Sequence, residues 1–116
     1  MPKIISVNNI APTGTVGYGD LAASFAEIEA KLGSPGSSFD SYKTDAEWVI
    51  EYSDGSIATI YNWKNGKNYL GDLGLSVCDI TDWRIGGTKE EVVRWVSDLI
   101  HNSWPIFDEI RQESQI

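Results

Sequence analysis

The stretch YNWKNGKNYLGD at residues 61 to 72 gathers the side chains of this chain best suited to binding chemistry. Asn65, Lys67, Asn68 and Tyr69 surround Gly66, whose freedom permits a tight turn with exposed backbone N–H groups. An ammonium, two amides and such a turn are the groups that hold a phosphate or an acidic side chain, and Trp63 and Tyr69 offer flat faces for a base or another ring. Arg84, next to Trp83, joins this set if its strand lies beside the one that ends near Trp63. A second candidate is the pair Glu47 and Glu51, four residues apart and so on the same face of a strand, as an acidic surface for a basic partner. The competing structural reading makes Asn65 to Asn68 a polar turn, and Trp63, Tyr69 and Trp83 packing residues.

No complete catalytic motif is present. The chain has no serine with a neighbouring histidine and carboxylate, no HExxH and no P-loop, and GTVGYGD at 14 to 20 departs from G-x-G-x-x-G. One cysteine, Cys78, excludes an internal disulfide and a cysteine-built zinc site, and one histidine, His101, removes most other metal options. The expectation is a non-enzymatic protein with no cofactor and no metal.

The 17 acidic against 9 basic residues give a formal charge of −8, which disfavours unselective binding to duplex DNA and favours solubility or a basic protein partner. The chain lacks the run of about 20 apolar residues that spans a bilayer, and MPKIISVNNI lacks the apolar core of a signal peptide, so a cytoplasmic location is expected.

The elements that must position these groups read as one α+β domain over residues 1 to 116. A short strand opens the chain, and a glycine-rich loop follows it. Leu21, Phe25, Ile28 and Leu32 predict a helix over 21 to 32, capped by Asp20. The polar stretch 33 to 41 reads as a linker. Two alternating runs flank Asp54-Gly55 and predict a β-hairpin over about 43 to 53 and 56 to 63. A two-residue turn there pairs Tyr52 with Ile57, Ile50 with Thr59, Trp48 with Tyr61 and Ala46 with Trp63 on an apolar face. Glu47 then opposes Asn62, and Asp45 opposes Lys64. A third strand is expected over about 76 to 85. Thr88 and Glu91 have the form of a capping box, opening a helix over about 89 to 102, and Trp104-Pro105 opens another over about 105 to 113. The apolar surplus of these last segments suggests a homodimer contact.

Through GYGDLAASFAEIEAKLGSPG, the hairpin with its NWKNGKNYLG continuation, and WRIGG, the chain resembles a group of small accessory proteins encoded by tailed bacteriophages. The resemblance spans most of residues 17 to 87 and brings no catalytic residues. It implies a short protein made in the host cytoplasm during infection. By analogy with small acidic phage proteins, the expected role is counter-defence by stoichiometric binding. One mode covers a basic surface of a host defence effector, such as a CRISPR effector, with the acidic face at Glu47 and Glu51. The alternative withdraws a phosphorylated or cyclic nucleotide signal at the loop of residues 64 to 69, and a further one is a small phage hydrolase of such signals.

Overall fold

The computed structural model describes residues 1 to 36 and 41 to 101. Five antiparallel strands form one sheet: β1 (Ile4–Val7), β2 (Val16–Ala22), β3 (Glu47–Tyr52), β4 (Ile57–Tyr61) and β5 (Asp82–Gly87), in the spatial order β1-β3-β4-β5-β2. Three helices accompany it, α1 (Phe25–Leu32), the single turn α2 (Lys67–Leu70) and α3 (Val92–His101). The expected small antiparallel α+β architecture is therefore what the chain adopts.

Trp48, Ile50 and Tyr52 of β3, Ala58 and Ile60 of β4, and Trp83 and Ile85 of β5 point to one face and are almost fully buried there. Ile28 of α1 and Val92, Trp95, Val96 and Ile100 of α3 close over them. The two core indoles also anchor α1 at both ends. Trp83 Nε1 donates to the Ala23 carbonyl (3.0 Å), just before the helix, and Trp48 Nε1 to the Gly33 carbonyl (2.8 Å), just after it. Phe25 packs on both rings, which meet edge to face at 5.5 Å.

The hairpin is present, but its register lies one residue away from the expected one. Tyr52 N donates to Ser56 O (2.9 Å) and Gly55 N to Tyr52 O (3.0 Å), so the loop is Ser53-Asp54-Gly55, with Gly55 at φ 88°. Asp-Gly supports this three-residue loop, with glycine in the left-handed region, as well as it supports a two-residue turn. Because side chains alternate, the single added residue turns every β4 side chain over. Glu47 pairs with Tyr61, Val49 with Thr59 and Glu51 with Ile57. Tyr61 and Trp63 consequently leave the core, and Asn62 enters it.

Other boundaries move for local reasons. The second half of the expected glycine-rich loop belongs to β2, paired along β5 with an irregularity between Gly17 and Gly19. Strand pairing holds the chain until Ala22, so α1 starts at Phe25, where Ser24 and Glu27 form a reciprocal capping box. Asp20 faces Arg84 instead of capping a helix. Residues Val77–Asp79 form a 3-10 turn, which delays the third predicted strand to Asp82. Thr88 caps nothing: its N–H and Oγ1 complete the pairing with Ile57 (2.9 and 3.0 Å), and α3 begins at Val92. The predicted helix over 105 to 113, which shares the proposed homodimer contact with the helix before it, lies outside the described residues.

Asp54 ties the hairpin loop to the start of α3. Its carboxylate accepts from Ser56 N (2.9 Å) and from Lys89 Nζ (2.9 Å), and the Ser56 hydroxyl, ahead of Lys89 and the Ser56 N–H, leads the influences that hold its pKa down at about 2. A depressed folded-state pKa stabilises the fold above the ordinary value of 3.8, and that contribution is lost as pH falls toward about 2. The urea midpoint of Asp54→Asn should accordingly lie below wild type at pH 7, with the gap closing between pH 4 and 2. A gap independent of pH would refute the charge as its origin.

Candidate functional site

The loop after β4 is built around a buried amide. Asn62 Oδ1 accepts from the backbone N–H groups of Asp45 (2.8 Å) and Ala46 (3.0 Å), while Nδ2 donates to Asp45 Oδ1 (2.9 Å) and Asn65 Oδ1 (3.1 Å). Asn65 Nδ2 reaches the Asp82 carbonyl (3.1 Å), and Asn68 Nδ2 reaches the carbonyls of Ser41 (2.8 Å) and Thr44 (3.3 Å). Asp45 Oδ2 accepts the N–H of Asn68 (3.1 Å). A Cβ on Gly66 would overlap the Asp45 carboxylate, so glycine is required there for close approach. Asp45 is thereby committed to the asparagines, not to Lys64 as the expected register had it.

The expected anion site at this loop is thus mostly occupied with holding the loop itself. Asn65 and Asn68 spend their side-chain amides on the fold. Tyr69 packs against Tyr42, with centroids 5.2 Å apart, and Lys64 Nζ sits 5.5 Å from its ring. Lys67 is exposed on the single turn α2. Arg84 does lie beside β4, paired with Tyr61, but its Nε engages Asp20 Oδ1 at 3.1 Å. Glu47 and Glu51 share a face of β3 as the spacing requires, yet they do not project as an exposed acidic pair. Glu47 is only 7% exposed, and half-buried Glu51 accepts from Ser6 Oγ (2.8 Å).

The corrected register assembles a different site from some of these residues. β1 and β2 occupy opposite edges of the sheet, so residues 8 to 15 must cross it, and they do so on the face away from the helices. Between this crossover and the hairpin lies an open depression of about 270 Å³. Pro12, Thr15 and Val16 form one wall, and Thr44 and Glu47 stand opposite. Thr59, Tyr61 and Trp63 of the β4 side complete it, over a glycine floor at Gly17 and Gly86. A Cβ on Gly86 would come within 2.7 Å of Thr59 Oγ1, so the floor has no room for a side chain. The Tyr61 hydroxyl reaches across to Gly17, 3.5 Å from where a Cβ would stand.

Both polar and flat groups face this space. Burial pushes the Tyr61 phenol up; the Arg84 guanidinium opposes that rise and the Glu47 and Asp20 carboxylates add to it, so the hydroxyl stays protonated at neutral pH. Trp63 is 37% exposed and meets Tyr61 edge to face at 6.1 Å. Lys43 Nζ and Lys64 Nζ lie 5.3 and 5.8 Å from the Trp63 centroid. Lys43 and Lys64 thus set two ammoniums beside Trp63 in a chain that carries −8 as a whole. Such near charges matter most for recognition, because charges more than about 8 to 10 Å away are screened at physiological salt.

The expected register placed Tyr61, Trp63 and Thr59 on the core face and gave no binding role to Thr44 or Thr59. Reading the hairpin with a three-residue loop is the one change that would have grouped Glu47, Thr59 and Tyr61. Among the described residues, no group of three or more His, Cys, Asp or Glu side chains converges to hold a metal ion, and no helix is long and apolar enough to cross a membrane. No family model, curated protein or solved structure matches the chain.

Proposed function

We propose that this protein binds a small phosphorylated nucleotide without turning it over, and that it does so in the depression on the open sheet face. The observation that carries the reading is the juxtaposition at Trp63: an exposed indole beside a polar recess sized for a base, with two lysine ammoniums against the ring. A base enters the recess and stacks on the exposed indole of Trp63, where base stacking on an aromatic side chain contributes about 1 to 3 kcal/mol. Its phosphate remains at the mouth, within reach of Lys43 and Lys64. The site thus uses the chemistry expected of the loop at 64 to 69, moved from the asparagines to the neighbouring strand face. The resemblance to phage accessory proteins supplies the setting: in the host cytoplasm, such binding withdraws a nucleotide signal from a defence effector.

Isothermal titration of the folded protein with nucleoside monophosphates should show binding at one site per depression, with the nucleotide recovered unchanged. Trp63→Ala should weaken it at least tenfold, about 1.4 kcal/mol, without altering the folded-state circular dichroism. Absence of binding to any mononucleotide, or full affinity in Trp63→Ala, would remove this reading; recovery of hydrolysed product would replace it with the hydrolase alternative.

A second reading draws on charge. Glu27 and Glu29 of α1 and Glu90, Glu91 and Asp98 around α3 are exposed on the helical side, in keeping with the net −8. They supply an acidic surface for a basic, nucleic-acid-binding host defence protein, a role for which buried Glu47 is unsuited. Co-purification of a host protein, lost when Glu90 and Glu91 are reversed to lysine, is the result that would favour it.

A further inference from the structure

We infer that the depression selects a guanine base, with Glu47 as the residue that sets the choice; this rests on the nucleotide-binding reading above. An ionised carboxylate accepts hydrogen bonds and donates none, so it discriminates among the edges that bases present to it. Guanine offers two adjacent donors, N1–H and the N2 amino group, spaced to meet both oxygens of one carboxylate. Adenine and cytosine each place one amino group beside a ring-nitrogen acceptor, and uracil flanks its single N–H with two carbonyls. Against Glu47 each of these sets at least one lone pair toward a carboxylate oxygen, a repulsion made larger by low exposure at the wall of the recess.

The other lining groups fit the same base. The hydroxyls of Thr44, Thr59 and Tyr61 can donate as well as accept, so they meet the O6 and N7 acceptors that guanine keeps on its remaining edge. Glu47 needs no vacant oxygen for this. A carboxylate has about four acceptor positions, so it can take two donors from a base and retain an existing contact. Trp63 holds the ring plane and is indifferent to base identity, and hydroxyls that can donate or accept adapt to any base, which leaves discrimination to the carboxylate.

The test is a titration series with GMP, IMP, AMP, UMP and CMP on the full chain. GMP should bind at least tenfold more tightly than AMP, UMP or CMP. IMP, which lacks only the N2 amino group, should lose at least fivefold relative to GMP. Glu47→Gln places an amide donor against a guanine donor and gives adenine a donor in place of a repelling oxygen, so it should remove the preference for GMP and raise AMP affinity. Equal binding of GMP, IMP and AMP to the unaltered protein overturns the inference while leaving the nucleotide site standing. Failure of every mononucleotide to bind overturns both. The comparison of GMP with IMP alters only the ligand, so it decides the matter even if Glu47→Gln does not fold.

Discussion

Asn62→Ala is expected to destabilise the fold by about 3 kcal/mol or more, because the side chain it removes accepts from two backbone N–H groups and donates to two side-chain oxygens. Asn62 is fully buried, and its Oδ1 is the acceptor for two consecutive backbone N–H groups at the entry to β3, those of Asp45 and Ala46. Leaving a buried donor unsatisfied costs about 1 to 3 kcal/mol, and here two are exposed to that loss at once. The loop has a second dependence, since Nδ2 fixes both Asp45 and Asn65, and Asp45 in turn holds Asn68. Asn62→Asp separates the two roles. It keeps the acceptor but sets a carboxylate beside that of Asp45, and such crowding favours uptake of a proton, so its deficit should shrink between pH 7 and pH 4. Urea denaturation at pH 7 and pH 4 checks both variants. A midpoint for Asn62→Ala within a few tenths of a molar of wild type would show that water replaces the amide, and that the loop does not depend on it.

The same residue explains why the hairpin was only partly legible. Asp54-Gly55 between alternating runs identifies two paired strands, and the pairing is there. What alternation does not identify is the loop length, which here decides the faces. The set Tyr61 and Trp63 looks like core beside Trp48 and Ala46, whereas the alternative set places an asparagine inward. Side-chain polarity favours the first arrangement. The second prevails because Asn62 makes four hydrogen bonds inside, and because the three-residue loop seats Gly55 at positive φ. A buried polar residue that meets all its partners is indistinguishable, in a linear pattern, from one that belongs in water.

β2 was hidden for a different reason. Gly17 and Gly19 carry no side chain, so VGYGDLA shows no alternation to read. The packing of α3 calls for that lack at Gly19, where a Cβ would stand only 3.1 Å from Val93 Cγ1. The crossover at residues 8 to 15 follows from β2 being the far edge strand, and with it the wall formed by Pro12 and Thr15. The candidate site therefore depended on two features that local pattern leaves silent, a loop length and a glycine strand. The residue types were visible and their grouping was not. The helices were more legible, since Ile28 and the series Val92, Trp95, Val96 and Ile100 repeat at helical spacing and are all buried.

Trp83→Ala is expected to be the most damaging single change in the core, at about 3 to 5 kcal/mol. That is a large part of the roughly 5 to 15 kcal/mol available to a domain of this kind. Three losses add. The indole is fully buried near the start of β5, so its removal opens a cavity between sheet and helices. Its edge contact with Trp48 and its packing under Phe25 disappear together. The Ala23 carbonyl also loses its buried donor, and with it α1 loses the anchor at its N-terminal end. Trp48 still ties the other end through Gly33, so the helix should remain but detach first from the side of Ser24. Trp83→Phe refills part of the volume without restoring the N–H and should fall between wild type and alanine. Hydrogen exchange locates the effect: amides of α1 near Phe25 should lose more protection than those of β3 and β4 in Trp83→Phe. Uniform loss of protection across the whole chain would show that the indole stabilises the core as a single unit, with no separate hold on the helix.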